Sequence, residues 1–414
     1  MRVAILARGA HPLHEPGGME RAVYHLAKQL RELGHRPILY TRPPLHDKPF
    51  PGEVVAVPYQ RWPAGAHGSV LDRTINYPLF VSRVGERVAR EVRAGLIDVV
   101  DSQGIAVLGY LRARRRDPSL RAPVMINPQG MEEHKARGLK RLALWRLRRL
   151  SREAARLADR IVATDEVIVD EIPRYLDVDP SRVVLLRNGV DVAEIDAVTP
   201  KDARKVVAAA LPSLGDAAPV MISVGRLEAY KGFGDVLAAL IRLHQSGRLP
   251  REWAWIILGD GPLRPAMQRR IAAHDASACP GGPIATHVHF AGWVRDLPML
   301  HSYYACADVF VHATHYEGSS IVTIEAMAHA LPVIGSRAGG IPDKVRDGEN
   351  GYLVRPGAVD ALAERIAELS ADAGLRAVMG RNGRERVEQL FSWEKIARST
   401  VAVYEKLVRE TRER

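Results

Sequence analysis

Short apolar runs alternate with amphipathic helical stretches along almost the whole chain, and that alternation leaves few architectures open. A short run that is apolar at nearly every position, followed by a helix-period stretch and another such run, reads as successive βαβ units with parallel strands. The first instance is Val3–Leu6, then a helix over Met19–Leu33, then Arg36–Tyr40. Val23, Leu26, Ala27, Leu30 and Leu33 share one face of that helix at the 3.6-residue period, and Gly34 is placed to close it. Further strands are expected at Val54–Val57, Val99-Val100, Val124–Asn127, Arg160–Ala163 and Val183–Leu186. A second series begins after Pro200, with strands at Val220–Val224, Trp255–Leu258, His287–Phe290, Val309–His312, Pro332–Ile334 and Gly351–Leu353.

The chain has 414 residues, too many for one ordinary core, so two domains of about 200 residues each are expected. The stretch Asn188–Pro200 has turn chemistry near the midpoint and reads as the linker. Residues 1–196 then form one Rossmann-like domain and 197–395 a second, with a closing helix over about 396–414 packing back on the first. No apolar run approaches the ~20 residues that span a bilayer. The opening MRVAILARGA lacks the longer apolar core of a signal peptide, so a cytoplasmic protein is expected. The two cysteines, Cys279 and Cys306, do not make a disulfide framework or a zinc site. A formal net charge of +11 favours anionic partners, although an arginine-rich composition also follows from a GC-rich genome. Nucleic-acid binding would need a helix-turn-helix, a zinc motif or an aromatic platform, and none is visible.

In open parallel sheets, ligands bind beyond the carboxyl ends of the strands. After Val220–Val224 comes GRLEAYKG, whose Arg226 and Lys231 would suit a diphosphate: one as a bidentate fork, the other as a point charge. Alone they could equally be two surface cations. After Val309–His312 comes THYEGSSIVTIEAMAHALPVI, with Glu317 and Glu325 in it and Gly318, Ser319 and Ser320 at an expected helix start, where backbone N–H groups bind phosphate. Glu325 lies too far inside that helix to cap it and stands among Ile321, Val322, Ile324, Ala326 and Met327, so it is expected to be committed to a partner. In the first half, Gly17 and Gly18 of PGGME precede the first helix, where glycine lets a backbone approach a ligand.

In this order, GRLEAYKG, LGDGP, FAGWV, EGSSIVTIEAMAHALPVI and GGIPDKVRDGENGYLV resemble the donor-binding half of the retaining GT-B glycosyltransferases of family 4, and PGGME and NGVD extend the resemblance to nearly the whole chain. The resemblance implies an α/β fold of two Rossmann-like domains facing across a cleft. It implies that Arg226 and Lys231 hold the donor diphosphate and that Glu317 faces the transferred sugar, these three being the catalytic set. Glu325 would accept from the ribose hydroxyls, and Gly318, Ser319, Ser320 and Ile321 would contact phosphate. Gly292, Trp293, Val294 and Arg295 would lie near the base, with Gly259 and Gly261 in the same cleft and Gly17 and Gly18 also touching the donor phosphates. No metal or other cofactor is implied by the resemblance. Glu317 as a nucleophile is the less favoured route beside a front-face one. A storage-glucan synthase or phosphorylase, and a catalytically degenerate relative that binds nucleotide sugar or a partner, remain alternatives.

The sequence departs from the family after Val124–Asn127, where Gln129 stands in place of a frequent His. Gln129, Gly130, Glu132 and His134 are the acceptor-side candidates. Beyond them, Leu139, Leu142, Ala143, Leu147, Leu150, Ala154 and Leu157 form an apolar stripe over a helical region from Leu139 to Arg160. Arg141, Arg148, Arg149, Arg152 and Arg156 lie roughly opposite with Trp145, as an anionic membrane surface would require. Arg112, Arg114, Arg115 and Arg116 could reinforce that face. A lipid-linked or saccharide acceptor and a peripheral place on the inner membrane face are the matching expectations.

Overall fold

Strands that are apolar at successive positions belong in a sheet covered on both faces. In the computed structural model, which describes residues 1–14, 17–59, 76–129, 131–136, 138–214, 218–277 and 281–413, they build two wholly parallel sheets. The first holds β1 (Arg2–Leu6), β2 (Arg36–Thr41), β3 (Glu53–Ala56), β4 (Val99–Gln103), β5 (Val124–Asn127), β6 (Arg160–Ala163) and β7 (Val183–Leu185), in the order β3-β2-β1-β4-β5-β6-β7. The second holds β8 (Val220–Val224), β9 (Ala254–Leu258), β10 (Val288–Gly292), β11 (Val309–His312), β12 (Val333–Ser336) and β13 (Gly351–Val354), in the order β10-β9-β8-β11-β12-β13.

Alternation along each strand divides the side chains between two cores. In the first sheet Ala4, Leu6, Tyr40 and Val100 enter one cluster, while Val3, Ile5, Leu39 and Val99 enter another. In the second, Met221, Trp255, Ile257 and Val311 face one way, and Val220, Ile222, Ile256 and Phe310 the other. Each fully buried aliphatic or aromatic side chain of this kind stabilises by about 1.5–3 kcal/mol relative to exposure. The strand order reverses beside β1, between β2 and β4, and beside β8, between β9 and β11. Those reversals open the crevices in which such sheets take ligands.

The chain folds as two units, Met1–Asn188 with Trp393–Arg414, and Gly189–Ser392. The crossing thus falls earlier than the expected 196/197, and the return earlier than 396. The reason lies in the stretch read as a linker. Asp191 accepts from the N–H groups of Ala193 and Glu194 and starts a helix over Val192–Asp196, whose Ile195 is buried in the second unit's core. The helix Trp393–Glu413 places Trp393, Ile396, Tyr404 and Leu407 in the first unit's core.

The basic region expected over Leu139–Arg160 is two helices, Gly138–Ala143 and Trp145–Leu157, broken at the buried Leu144. Leu147 and Ala154 point inward as the stripe requires. Before the break, Leu142 and Ala143 of the expected stripe are exposed instead, Leu142 67% accessible, while Trp145 is exposed at 52% as expected of the basic face. Several arginines of the region are engaged within the protein. Arg112 pairs with Glu153 at 2.7 Å, Arg114 with Asp159 at 2.6 Å and Arg156 with Asp177, while Arg152 donates to the Tyr175 carbonyl at 2.9 Å. Arg112 and Arg114 therefore do not add to an outward basic face. Among the described residues, no helix is long and apolar enough to cross a membrane.

Candidate active site

Two loops at the strand-order reversal of the second sheet hold Arg226, Lys231 and Glu317 of the expected site. The loop after β8 and the loop after β11 are stapled where the Tyr230 carbonyl accepts from the His315 N–H at 2.7 Å and the Thr314 hydroxyl at 3.1 Å. That staple brings Lys231 to Glu317: Nζ donates to Oε2 at 2.8 Å. His312, the last residue of β11, approaches the same oxygen with Nε2 at 2.8 Å, and the Gly318 N–H donates to Oε1 at 3.2 Å. Burial pushes the Glu317 carboxyl up, but the hydrogen bonds and charges of His312 and Lys231 prevail and hold it at about 2. Glu317 is thus an ionised, acceptor-only group with both oxygens engaged, and the Nε2 that faces it must carry its hydrogen.

Arg226 stands on the exposed side of the same loop, 3.1 Å from the Tyr230 hydroxyl and 3.8 Å from Glu228. Ser320 is the residue before the helix Ile321–Ala328 and makes no side-chain cap. Thr323 donates to its hydroxyl at 2.9 Å. The Ser319 hydroxyl oxygen is buried and has no hydrogen-bond partner. Glu325 is buried on that helix and accepts from the Tyr304 hydroxyl at 3.0 Å.

The two glycines of GDGP serve backbone contact. A Cβ on Gly259 would lie 1.9 Å from the Gly225 carbonyl oxygen, and one on Gly261 2.6 Å from that of Leu227, so the loops after β8 and β9 touch only because these positions are bare. The Gly259 N–H in turn donates to the Gly292 carbonyl at 2.7 Å, which brings the loop after β10 alongside, with Trp293 and Arg295 exposed and Val294 half-buried.

The first unit carries a separate set. Gly17 and Gly18 open the helix Gly18–Glu32, and the Glu20 carboxylate folds back over Gly17, where a Cβ would lie 2.3 Å from its oxygen. Gln129 holds a left-handed φ of 59° after β5, and its side-chain amide donates to Gln103 at 2.5 Å. Gln103 donates to Asp101 at 3.2 Å, and the Tyr404 hydroxyl donates to the other Asp101 oxygen at 2.5 Å. His134 bonds Ser151 at 2.8 Å, and burial together with Arg152 and Arg148 holds its ring at about 4, so it is neutral at neutral pH. Pro16, Gly130 and Cys279 lie outside the described residues, as do the side chains of Glu132 and Leu139. A cavity of about 180 Å³ is lined by Arg8, Tyr77, Gln103, Gln129, Glu133 and Ser151, among others.

Sequence reasoning missed His312, Tyr304 and Gln103. The signal for His312 was an imidazole ending an otherwise apolar strand, five residues before Glu317. Tyr304 and Gln103 gave none that a neighbouring residue could reveal.

Known proteins resemble this chain over most of its length. The profile of Glycosyltransferase Family 4 matches residues 16–194, and that of Glycosyl transferases group 1 matches residues 218–372. The chain is 33% identical over 268 residues to the alpha-maltose-1-phosphate synthase of Mycolicibacterium smegmatis, a match spanning 62% of this chain and 66% of that protein, just under two thirds. It is 27% identical over 425 residues of alignment to the D-inositol 3-phosphate glycosyltransferase of Salinispora tropica, covering 100% of this chain and 87% of the other. The structure of Anabaena HepE in complex with UDP superimposes with a TM-score of 0.73 at 19% identity, over 98% of this chain and 100% of that one. The chain belongs to glycosyltransferase family 4 and has the GT-B fold, two parallel-sheet α/β domains in one polypeptide.

Proposed function

We propose that this protein is a retaining glycosyltransferase that moves a sugar from a UDP- or GDP-linked donor to a lipid-linked or saccharide acceptor, in the assembly of a bacterial surface polysaccharide or related glycoconjugate. One observation carries the donor half of this reading: the Ser319 hydroxyl is buried without a partner at the head of the Ile321–Ala328 helix. A buried hydroxyl left unbonded costs free energy that a ligand acceptor would recover. A phosphate oxygen is such an acceptor, and it also suits the N–H groups of the helix terminus and the nearby cation Lys231. HepE was solved with UDP, which supports a nucleoside diphosphate here.

Breaking the bond between sugar and diphosphate leaves negative charge on the leaving phosphate. Lys231, Arg226 and the helix N–H groups stabilise that charge, a contribution typically worth ~10²–10³ in rate per preorganised donor. The acceptor hydroxyl attacks the anomeric carbon on the face the phosphate leaves, and its proton passes to a phosphate oxygen, so configuration is retained. We favour this front-face route over a covalent one. A covalent route would instead make Glu317 the nucleophile, and trapping with a slow donor analogue followed by mass spectrometry would reveal a glycosyl-enzyme if it did. The reading assigns the electrophilic role to protein cations, so catalysis should be unaffected by a chelator. The exposed Leu142, Ala143 and Trp145, with Arg141, Arg146 and Arg149 around them, support a peripheral place on an anionic membrane, where a lipid-linked acceptor would be met.

Thermal stabilisation by UDP, GDP, ADP and their sugars tests the donor assignment, since a ligand stabilises the folded state according to its concentration and affinity. One nucleotide class should raise the melting temperature, and Lys231→Ala and Glu325→Ala should each reduce that rise. No rise with any of them at millimolar concentration would sink the transferase reading. The anomeric configuration of the product, read by NMR, tests retention.

A further inference from the structure

Glu317 has more donors than a sugar-facing carboxylate needs, and they differ in kind. Lys231 ends a long flexible stem, and on the reading above it must turn to the donor diphosphate. His312 cannot move away: it sits in β11, paired in register with Gly335 of β12, its ring stacked on Phe310 at 5.8 Å. The backbone of Glu317 is also fixed. A Cβ on Gly339 would lie 1.9 Å from the Glu317 carbonyl oxygen, and the Gly340 N–H donates to the Gly318 carbonyl at 3.0 Å, so the loop after β12 clamps the residue from outside.

We propose that His312 is a positioning residue that keeps the Glu317 carboxylate compensated and in place while Lys231 transfers from it to the donor diphosphate. The side chains of His312 and Glu317 are only 2% and 12% accessible, so water cannot replace a lost donor freely. A buried carboxylate that loses a partner is strongly destabilised. With an apolar residue at position 312, moving Lys231 would leave Glu317 with the single Gly318 N–H at 3.2 Å. Lys231 would then be held back by the carboxylate, and diphosphate would bind more weakly although His312 never touches it. This proposal rests on the donor assignment above and adds to it the exchange of one cation between two anions.

The test is isothermal titration of UDP, GDP and ADP into the full-length protein, followed by titration of the tightest binder into variants. His312→Leu should weaken that diphosphate ~10-fold or more, the size expected when a hydrogen bond to a buried charge is lost. His312→Gln, whose amide reaches the former place of Nε2, should stay within ~3-fold of wild type, whereas the shorter His312→Asn should not. In a Lys231→Ala background no cation is left to transfer, so His312→Leu should cost little more. Wild-type affinity in a folded His312→Leu protein would overturn the proposal. So would the same penalty for His312→Leu in both backgrounds, which marks a merely structural role. If His312→Leu fails to fold, equal affinities of the Gln and Asn variants overturn it. Absence of binding by the wild type removes the donor assignment itself, a failure distinct from the others.

Discussion

Glu325 lies among Ile321, Val322, Ile324, Ala326 and Met327, and a carboxylate in such company must be bonded to something. One partner is Tyr304, which belongs to the helix Leu297–Ala305 and whose ring stacks on His329 at 5.5 Å. Burial and the neighbouring His301 and Arg384 hold His329 at about 3, so that ring stays neutral against the tyrosine at working pH. Tyr304→Phe keeps the stacking and removes only the hydroxyl. Nucleotide affinity should fall about 10-fold, the range for a lost hydrogen bond to a charged acceptor. Titration of the best-binding nucleotide checks this, and an unchanged affinity would mean that Glu325 needs no orientation. At this scale Lys231, Glu317 and Glu325 were legible because each stands in a short motif with a chemical reading. His312 and Tyr304 were not, because what matters about them is where a fold places their partners. Gln129 was legible as a departure from the family, but its bond to Gln103 and its left-handed backbone belong to the folded loop.

Elements were read well where burial alone decides them. Val124–Asn127, Arg160–Ala163, Val220–Val224 and Val309–His312 are strands over the expected residues, since an apolar run of that length has no other stable place between two helical layers. Elements were misread where a single side chain decides: Asp191 turned an apparent linker into a helix, and the burial of Leu144 broke a helix without any glycine or proline to announce it. The closing helix shows the reverse case. Its presence and its return to the first unit were legible, but its polar anchor was not: the Tyr404 hydroxyl donates to Asp101 on β4, in the middle of the first unit. Burial pushes the Asp101 carboxyl up from its ordinary 3.8 to about 6, against the hydrogen bonds of Tyr404 and Gln103. The native protein therefore keeps this proton to higher pH than the unfolded chain. The group's contribution to stability is greatest below 3.8 and is lost as pH rises through about 6. Tyr404→Phe removes a donor that only the ionised form needs. It should cost about 1.5–3 kcal/mol at pH 7.5 and clearly less at pH 5. Urea unfolding at the two pH values measures the difference, and an equal loss at both would show that the hydroxyl is not serving the carboxylate.

At the scale of the whole molecule, a net charge of +11 says only that anions are welcome. The fold decides where. Arg112, Arg114 and Arg156 are paired with acids and Arg152 with a carbonyl, so part of this region's positive charge is already matched within the chain. What remains outward near the helix break is Arg141, Arg146 and Arg149, the last at 5.7 Å from the Trp145 ring, around the exposed Leu142 and Ala143. An exposed indole and leucine ringed by arginines match an anionic bilayer better than nucleic acid, which would leave the leucine in water. Each arginine near an anionic surface contributes about 1 kcal/mol, so three together are worth roughly 100-fold in partitioning. The protein should therefore sediment with phosphatidylglycerol-containing vesicles and far less with pure phosphatidylcholine, and salt should release it by screening. Replacing the three arginines with glutamate should abolish sedimentation, and Trp145→Ala with Leu142→Ala should weaken it without changing its salt dependence. In all of these variants the thermal shift with nucleotide should persist, because Arg226, Lys231, Glu317 and Glu325 stand in the other unit. Equal binding to both vesicle types, or none at low salt, would leave this face without a lipid role and turn the acceptor assignment toward a soluble saccharide.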